Sequence, residues 1–173
     1  RELFVPTKLA PVAYCDAPIE VCKDRWIASP AVFAAMVQAA KVTPGDHVLD
    51  IGCATGYSTA ILAHLAKKVI AAEPDEKLAS TANYTLNQLG IRNVIIIGDT
   101  LIEGHPEGGP YQVIFINGSI PAVPTPLFEQ LAEGGRLVAV VARPGNPGRI
   151  LLAERQSEVV TQRIIKDVAL PAL

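Results

Sequence analysis

At 173 residues, half of them hydrophobic, and with a formal charge of -2, the chain has the size and apolar content of one domain with a substantial core. Its 15 basic and 17 acidic residues form no basic run, which argues against a nucleic-acid partner, and no apolar stretch has transmembrane length or a signal-peptide pattern. Three cysteines, Cys15, Cys22 and Cys53, with no C-x-x-C pair, argue against a disulfide framework or zinc site and fit a reduced, cytoplasmic setting.

The chain opens on Arg1 rather than Met, as does a chain whose natural start lies upstream. Pro6, Pro11 and Pro18 interrupt residues 1–28, so an extended N-terminal arm with short strands at most is expected. Ser29-Pro30 reads as an N-cap followed by proline at the first helical position. Val32, Phe33, Met36, Val37 and Ala40 then give one apolar face of a helix over 30–41. Thr43-Pro44-Gly45-Asp46 is a turn into the first core strand, 47–51. Strand and helix alternate from there: helix 56–66, strand 68–73, helix 75–89, strand 93–98, a Gly- and Pro-rich loop 99–110 and strand 111–117. A Pro-rich loop 118–124 leads to a short helix 125–132. Glu133-Gly134-Gly135 then turns the chain into strand 136–141. After the break Arg143-Pro144-Gly145-Asn146-Pro147-Gly148, the runs 149–153 and 158–168 form an antiparallel hairpin at the sheet edge. This alternation implies an α/β fold, a mostly parallel sheet with right-handed crossovers and helices on both faces. It divides the single domain into the arm, an α/β core over 29–141 and the edge hairpin over 149–168.

The chain is organised around His47–Tyr57, a buried strand, a glycine-punctuated turn and the start of a helix. Gly52 and Gly56, with Ala54 between them, let a ligand approach the backbone, and the helix offers free N–H groups. A dinucleotide fold prefers G-x-G-x-x-G, suited to a pyrophosphate. Here Asp50 precedes the first glycine, and a carboxylate there repels pyrophosphate. It suits the ammonium and sulfonium of S-adenosylmethionine, an attraction of roughly a few kcal/mol at short range in a partly buried cleft. Glu73, 21 residues after Gly52, ends the second strand where a carboxylate accepts from ribose hydroxyls. Asp99, after the third strand, can accept from an adenine amino group. Cys53, Tyr57, Pro74, Thr100 and Asn117 lie on the same rim and complete the cofactor set, with Cys53 as a small apolar filler. Each acid also has a plainer reading: Asp50 as a helix cap, Glu73 and Asp99 as solvated loop acids.

The chain resembles the protein-L-isoaspartate O-methyltransferases over nearly its whole length. The resemblance rests on Arg1-Glu2-Leu3-Phe4-Val5-Pro6, Ala13-Tyr14, Thr43-Pro44-Gly45-Asp46 running into Val48-Leu49-Asp50-Ile51-Gly52, and Gly56-Tyr57. Leu89-Gly90-x-x-Asn93-Val94, Gly98-Asp99, Pro121-x-x-Pro124 and Gln130-Leu131-x-x-Gly134-Gly135-Arg136-Leu137-Val138 also fit. It implies a Rossmann-like S-adenosylmethionine methyltransferase fold, S-adenosylhomocysteine as product and carboxyl methylation of isoaspartyl residues in proteins or peptides. It also implies a helical segment ahead of Arg1. The family's Thr-Ile-Ser-x-Pro is here Trp26-Ile27-Ala28-Ser29-Pro30, so the usual serine position is Ala28. Ser29 falls one residue late and reads first as a cap. Asn117, at the end of the fourth strand, is the other candidate beside the acceptor, and Trp26 either closes over the ligand or packs in the arm. Rival readings are a methyltransferase for another acceptor and a module that binds the cofactor without turnover. His47, His64 and His105 lack metal-ligand spacing, so no metal, membrane or nucleic-acid partner is expected, and nothing sets an oligomeric state.

Overall fold

The computed structural model describes residues 1–143, 145 and 147–173. The arm carries 3-10 turns at Glu2–Phe4 and Thr7–Val12, then strands β1 (Ile19–Cys22) and β2 (Arg25–Ile27), which form an antiparallel hairpin of their own. The main elements follow as α1 (Pro30–Ala40), β3 (His47–Ile51), α2 (Tyr57–Leu65), β4 (Lys68–Ala72), α3 (Glu76–Gln88) and β5 (Val94–Ile97). Then come β6 (Tyr111–Ile120), α4 (Thr125–Glu129), β7 (Leu131–Val141), β8 (Gly148–Gln156) and β9 (Val159–Val168).

The seven-stranded sheet has the order β5-β4-β3-β6-β7-β8-β9. Pairing is parallel from β5 to β7 and antiparallel through β8 and β9. From β3 the chain winds first toward β5, then returns to β6 on the other side. That reversal opens a crevice at the carboxyl ends of β3 and β6, where α/β sheets bind ligands. The strands explain themselves: Val48, Leu49 and Ile51 of β3 are fully buried, as a parallel strand covered on both faces requires. Val48, Val69, Val113 and Phe115 meet Phe33, Met36, Ala60 and Leu86, so α1, α2 and α3 cover one face. Leu49, Ile70, Ile114 and Leu137 meet Leu127 on the other, where α4 is the only α-helix among the described residues. The expected cover by helices is therefore thick on one face and thin on the other.

Several expected boundaries move. The arm contains a 3-10 turn of six residues around Pro11, and the loop 99–110 contains another at Pro106–Gly108. β6 continues past Asn117 because Ser119 and Ile120 still pair with Val140 and Val141 of β7. α4 stops at Glu129 and β7 begins at Leu131. Glu133-Gly134-Gly135 is a bulge inside β7 rather than a turn before it: Tyr111 faces Leu131, but Val113 faces Arg136. Within the break over 143–148, Pro144 and Asn146 lie outside the described residues.

Candidate active site

The loop after β3 takes left-handed backbone at alternate positions, with φ of 72° at Gly52, 49° at Ala54 and 91° at Gly56. Hydrogen bonds hold it there. Gly52 N donates to Ala72 O at 2.9 Å, and Ala54 N to Glu73 Oε2 at 2.8 Å. At Ala54 the conformation costs about 1 kcal/mol, since the methyl group crowds the following carbonyl. The two glycines serve different neighbours. A Cβ at Gly52 would fall 2.3 Å from Leu173 Cδ1 and 3.3 Å from Asn117 O, so close approach matters on the crevice side. At Gly56 it would fall 3.0 Å from Ala82 Cβ, so this glycine lets α3 press against the loop.

Asp50 is fully buried and accepts from Ser58 Oγ at 2.8 Å, Thr59 Oγ1 at 2.6 Å and Asn117 Nδ2 at 2.6 Å. All three donors are neutral. Burial therefore dominates and pushes its pKa up to about 6, with the hydrogen bonds working the other way and the Glu73 charge adding to the rise. Asp50 ties the first turn of α2 to β6 and is a buried carboxylate with no cation in contact among the described residues. Asn117 also donates to Ile51 O at 3.1 Å, so its amide fastens β6 to the end of β3.

Glu73 has no exposed surface and follows β4 directly. Its Oε1 accepts from Asp75 N at 3.1 Å, besides the Ala54 contact at Oε2. Both oxygens also meet Arg25 of β2, with Nη1 to Oε1 at 2.7 Å and Nη2 to Oε2 in a second, close contact. Burial opposes the Arg25 charge, but the Glu73 carboxylate more than offsets it and holds the guanidinium ionised. Asp99 lies beyond β5, with Oδ2 2.5 Å from His105 Nδ1. Pro74, Thr100, Leu101, Ile116, Leu127 and Leu173 belong to the lining of an apolar cleft of about 550 Å³ at this end of the sheet.

The arm closes the other side. Thr55 Oγ1 donates to Phe4 O at 2.6 Å. Tyr57 packs on Phe4 and Phe33 with ring centroids 5.8 and 5.5 Å apart, each contact contributing on the order of 1 kcal/mol. Arg1 stacks over the Tyr57 ring, and its Nη1 donates to Ala28 O at 2.7 Å. Between arm and loop a recess of about 10 Å³ remains, with Trp26, Ala28, Cys53, Tyr57 and Asn117 among its walls. Ser29 caps α1, its Oγ accepting from Val32 N at 3.4 Å. Burial pushes the Cys53 thiol well up, with the Asp50 and Glu73 charges adding to it, which disfavours the thiolate that a nucleophile needs.

The structure thus brings Asp50, Gly52, Cys53, Ala54, Glu73 and Asn117 together, with Pro74 and Thr100 at the neighbouring cleft and Asp99 beside His105. Sequence reasoning missed Arg25, His105 and Leu173. Arg25 and Glu73 are 48 residues apart, and no spacing signals their pairing. The only local cue was a basic residue next to Trp26. No group of three or more metal-ligating side chains occurs among the described residues. No described helix is long and apolar enough to cross a membrane.

Residues 1–171 match the family model for protein-L-isoaspartate(D-aspartate) O-methyltransferase. The chain is 39% identical over 144 residues to the protein-L-isoaspartate O-methyltransferase of Koribacter versatilis, covering 83% of this chain and 65% of that one. It is 36% identical over 162 residues to that of Methanoculleus marisnigri, covering 93% and 73%. Among solved structures, a protein-L-isoaspartate O-methyltransferase superposes with a TM-score of 0.86 at 24% identity, over 100% of this chain and 57% of that one. One from Plasmodium falciparum, described as such an enzyme in complex with S-adenosyl-L-homocysteine, gives 0.79 at 21% identity, over 92% and 81%. The chain thus spans about two thirds of the length of the first of these curated relatives and a little over half of the first structure. With the match running from the arm to the last strand of the sheet, the chain belongs to the protein-L-isoaspartate(D-aspartate) O-methyltransferase family.

Proposed function

We propose that the chain is an S-adenosylmethionine-dependent methyltransferase that esterifies a carboxylate, with isoaspartyl residues of damaged proteins or peptides as acceptors and S-adenosylhomocysteine as product. The observation that carries this reading is the placement of Asp50, Glu73 and Asp99 at or just beyond the carboxyl ends of the neighbouring strands β3, β4 and β5, beside an apolar cleft whose lining includes Pro74 and Thr100. The residues present suit that cofactor. Glu73 offers a two-oxygen edge for a ribose diol, and Pro74, Thr100 and Asp99 suit adenine. Gly52 carries no Cβ on the crevice side, where Leu173 and Asn117 O lie close, and the buried charge of Asp50 favours a cationic ligand. The family match supports the same reading.

S-adenosylmethionine supplies an electrophilic methyl group when bound. A carboxylate is already a competent nucleophile, so the chain's own contribution is alignment and exclusion of water. Phe33, Tyr57 and Trp26 wall the recess toward the arm. Ala28 brings no hydroxyl, and Arg1 fixes its carbonyl. The acceptor is therefore positioned without the usual serine, a loss of about 1 kcal/mol for a neutral hydrogen bond. The α/β core over 29–141 carries the cofactor residues, and the free cysteines Cys15, Cys22 and Cys53 fit a cytoplasmic setting.

Incubation with labelled cofactor and an isoaspartyl peptide, beside its ordinary aspartyl twin, tests this. Ester formation on the first alone is the expected result. Ala28 and Trp26 in the wall of the recess motivate one rival, a smaller carboxylic acceptor. Turnover of small acids with an inert isoaspartyl peptide would establish that rival. Cofactor binding with no methylated product would make the chain a binding module.

A further inference from the structure

The Arg25–Glu73 pair stands where the proposed function needs an open acceptor. Each Glu73 oxygen has one backbone donor, Asp75 N on Oε1 and Ala54 N on Oε2. These come from the strand-to-helix loops and hold the carboxylate's orientation. The remaining capacity of both oxygens is taken by the guanidinium fork. A vicinal diol presents two O–H donors at the spacing of a carboxylate's two oxygens, as the fork presents two N–H donors. Diol and fork therefore compete for one edge. Arg25 has somewhere to go: its side chain keeps 16% of its surface exposed while that of Glu73 keeps 0%. It also stands on the β1–β2 hairpin, which shares no ladder with the main sheet.

We infer that Arg25 is an internal competitor for the ribose subsite and sets the affinity of this chain for adenosyl ligands. This rests on the reading of Glu73 as the ribose acceptor. Binding exchanges a buried ion pair for two hydrogen bonds to a neutral diol, and moves the guanidinium outward. The exchange weakens every ligand that needs the Glu73 edge, whatever its methionine portion carries. A ligand without ribose hydroxyls gains nothing from removal of the fork at that edge.

Calorimetric titration with S-adenosylhomocysteine, adenosine and 2′,3′-dideoxyadenosine tests this on the full chain. Arg25→Gln is expected to tighten S-adenosylhomocysteine and adenosine by about tenfold or more and to leave the dideoxy ligand within about threefold. Arg25→Lys keeps the charge but loses the fork, and an intermediate gain is expected; it also carries the test if Arg25→Gln does not fold. Glu73→Gln keeps the shape and separates the two claims. If it leaves S-adenosylhomocysteine affinity unchanged, the ribose reading of Glu73 falls. If it weakens binding while neither Arg25 variant tightens it, Glu73 stands and the competitor role is overturned. An equal gain for the dideoxy ligand would also overturn it, since the effect would then be steric rather than a contest for the carboxylate.

Discussion

At the strand ends, Asp50 lies within the ladder of β3, Glu73 follows β4 with its N–H on Ile97 O at 2.9 Å, and Asp99 lies just beyond β5. At the arm wall, Arg25, Trp26 and Ala28 arrive on or just after a two-stranded hairpin outside that ladder. The arm is held by side chains instead: Thr55 on the Phe4 carbonyl, Tyr57 between Phe4 and Phe33, and Arg25 on Glu73. Ladder pairing is cooperative along a strand, whereas each of these tethers can be removed singly. Placement of the three acids is thus a property of the fold, while the position of the arm beside them is the sum of a few separable contacts.

The largest expected effect lies on the rigid wall. Gly56→Val forces a branched side chain into φ of 91° and against Ala82. Urea unfolding should show a loss on the order of 3 kcal/mol or more. A loss below about 1 kcal/mol would mean that the loop after β3 is as loosely held as the arm. Next comes Asp50. Its native pKa of about 6 lies above its ordinary 3.8, so the native state binds the proton more tightly. That advantage is full below about pH 4 and is lost as pH rises through about 6, a drift on the order of 2 to 3 kcal/mol. Asp50→Asn should abolish the drift and be the more stable protein, relative to the parent, at pH 8 than at pH 4. Parallel curves for the two proteins would mean that the carboxylate is better solvated than its burial implies.

On the arm, Thr55→Val keeps the shape but leaves the Phe4 carbonyl without its 2.6 Å donor. A loss of about 1 to 2 kcal/mol is expected, with faster tryptic cleavage at Lys23 and Lys8 than within the core. Uniform acceleration across the chain would show that the arm unfolds only with the sheet. The smallest effect runs the other way: Ala54→Gly relieves the left-handed residue and should raise stability by about 0.5 kcal/mol after the entropy of glycine is counted.

The same contrast explains what could be read from the residues alone. β3 falls at 47–51 because four strand-forming or buried positions follow a turn, and α3 follows Asp75 because a cap and an apolar face are local signals. The three acids were placed by their distance from strand ends. Contacts made across the fold carried no such signal. Gly56 looked like a ligand-facing glycine, and its neighbour Ala82 belongs to a helix whose approach no local pattern gives. Glu133-Gly134-Gly135 had the composition of a turn, and only pairing with Tyr111 and Val113 makes it a bulge. Asp99 pairs with His105 and Arg25 with Glu73 through tertiary geometry alone.

Trp26 is the only tryptophan in the chain, and it stands in the wall of the recess with Gly52, Cys53 and Asn117. The indole emission of the whole molecule therefore originates at the meeting of arm and loop. Excited near 295 nm, the protein carries its own unlabelled reporter for the hairpin that holds Arg25, and a stopped-flow trace of that emission tests the proposed displacement of Arg25 when a ligand is added.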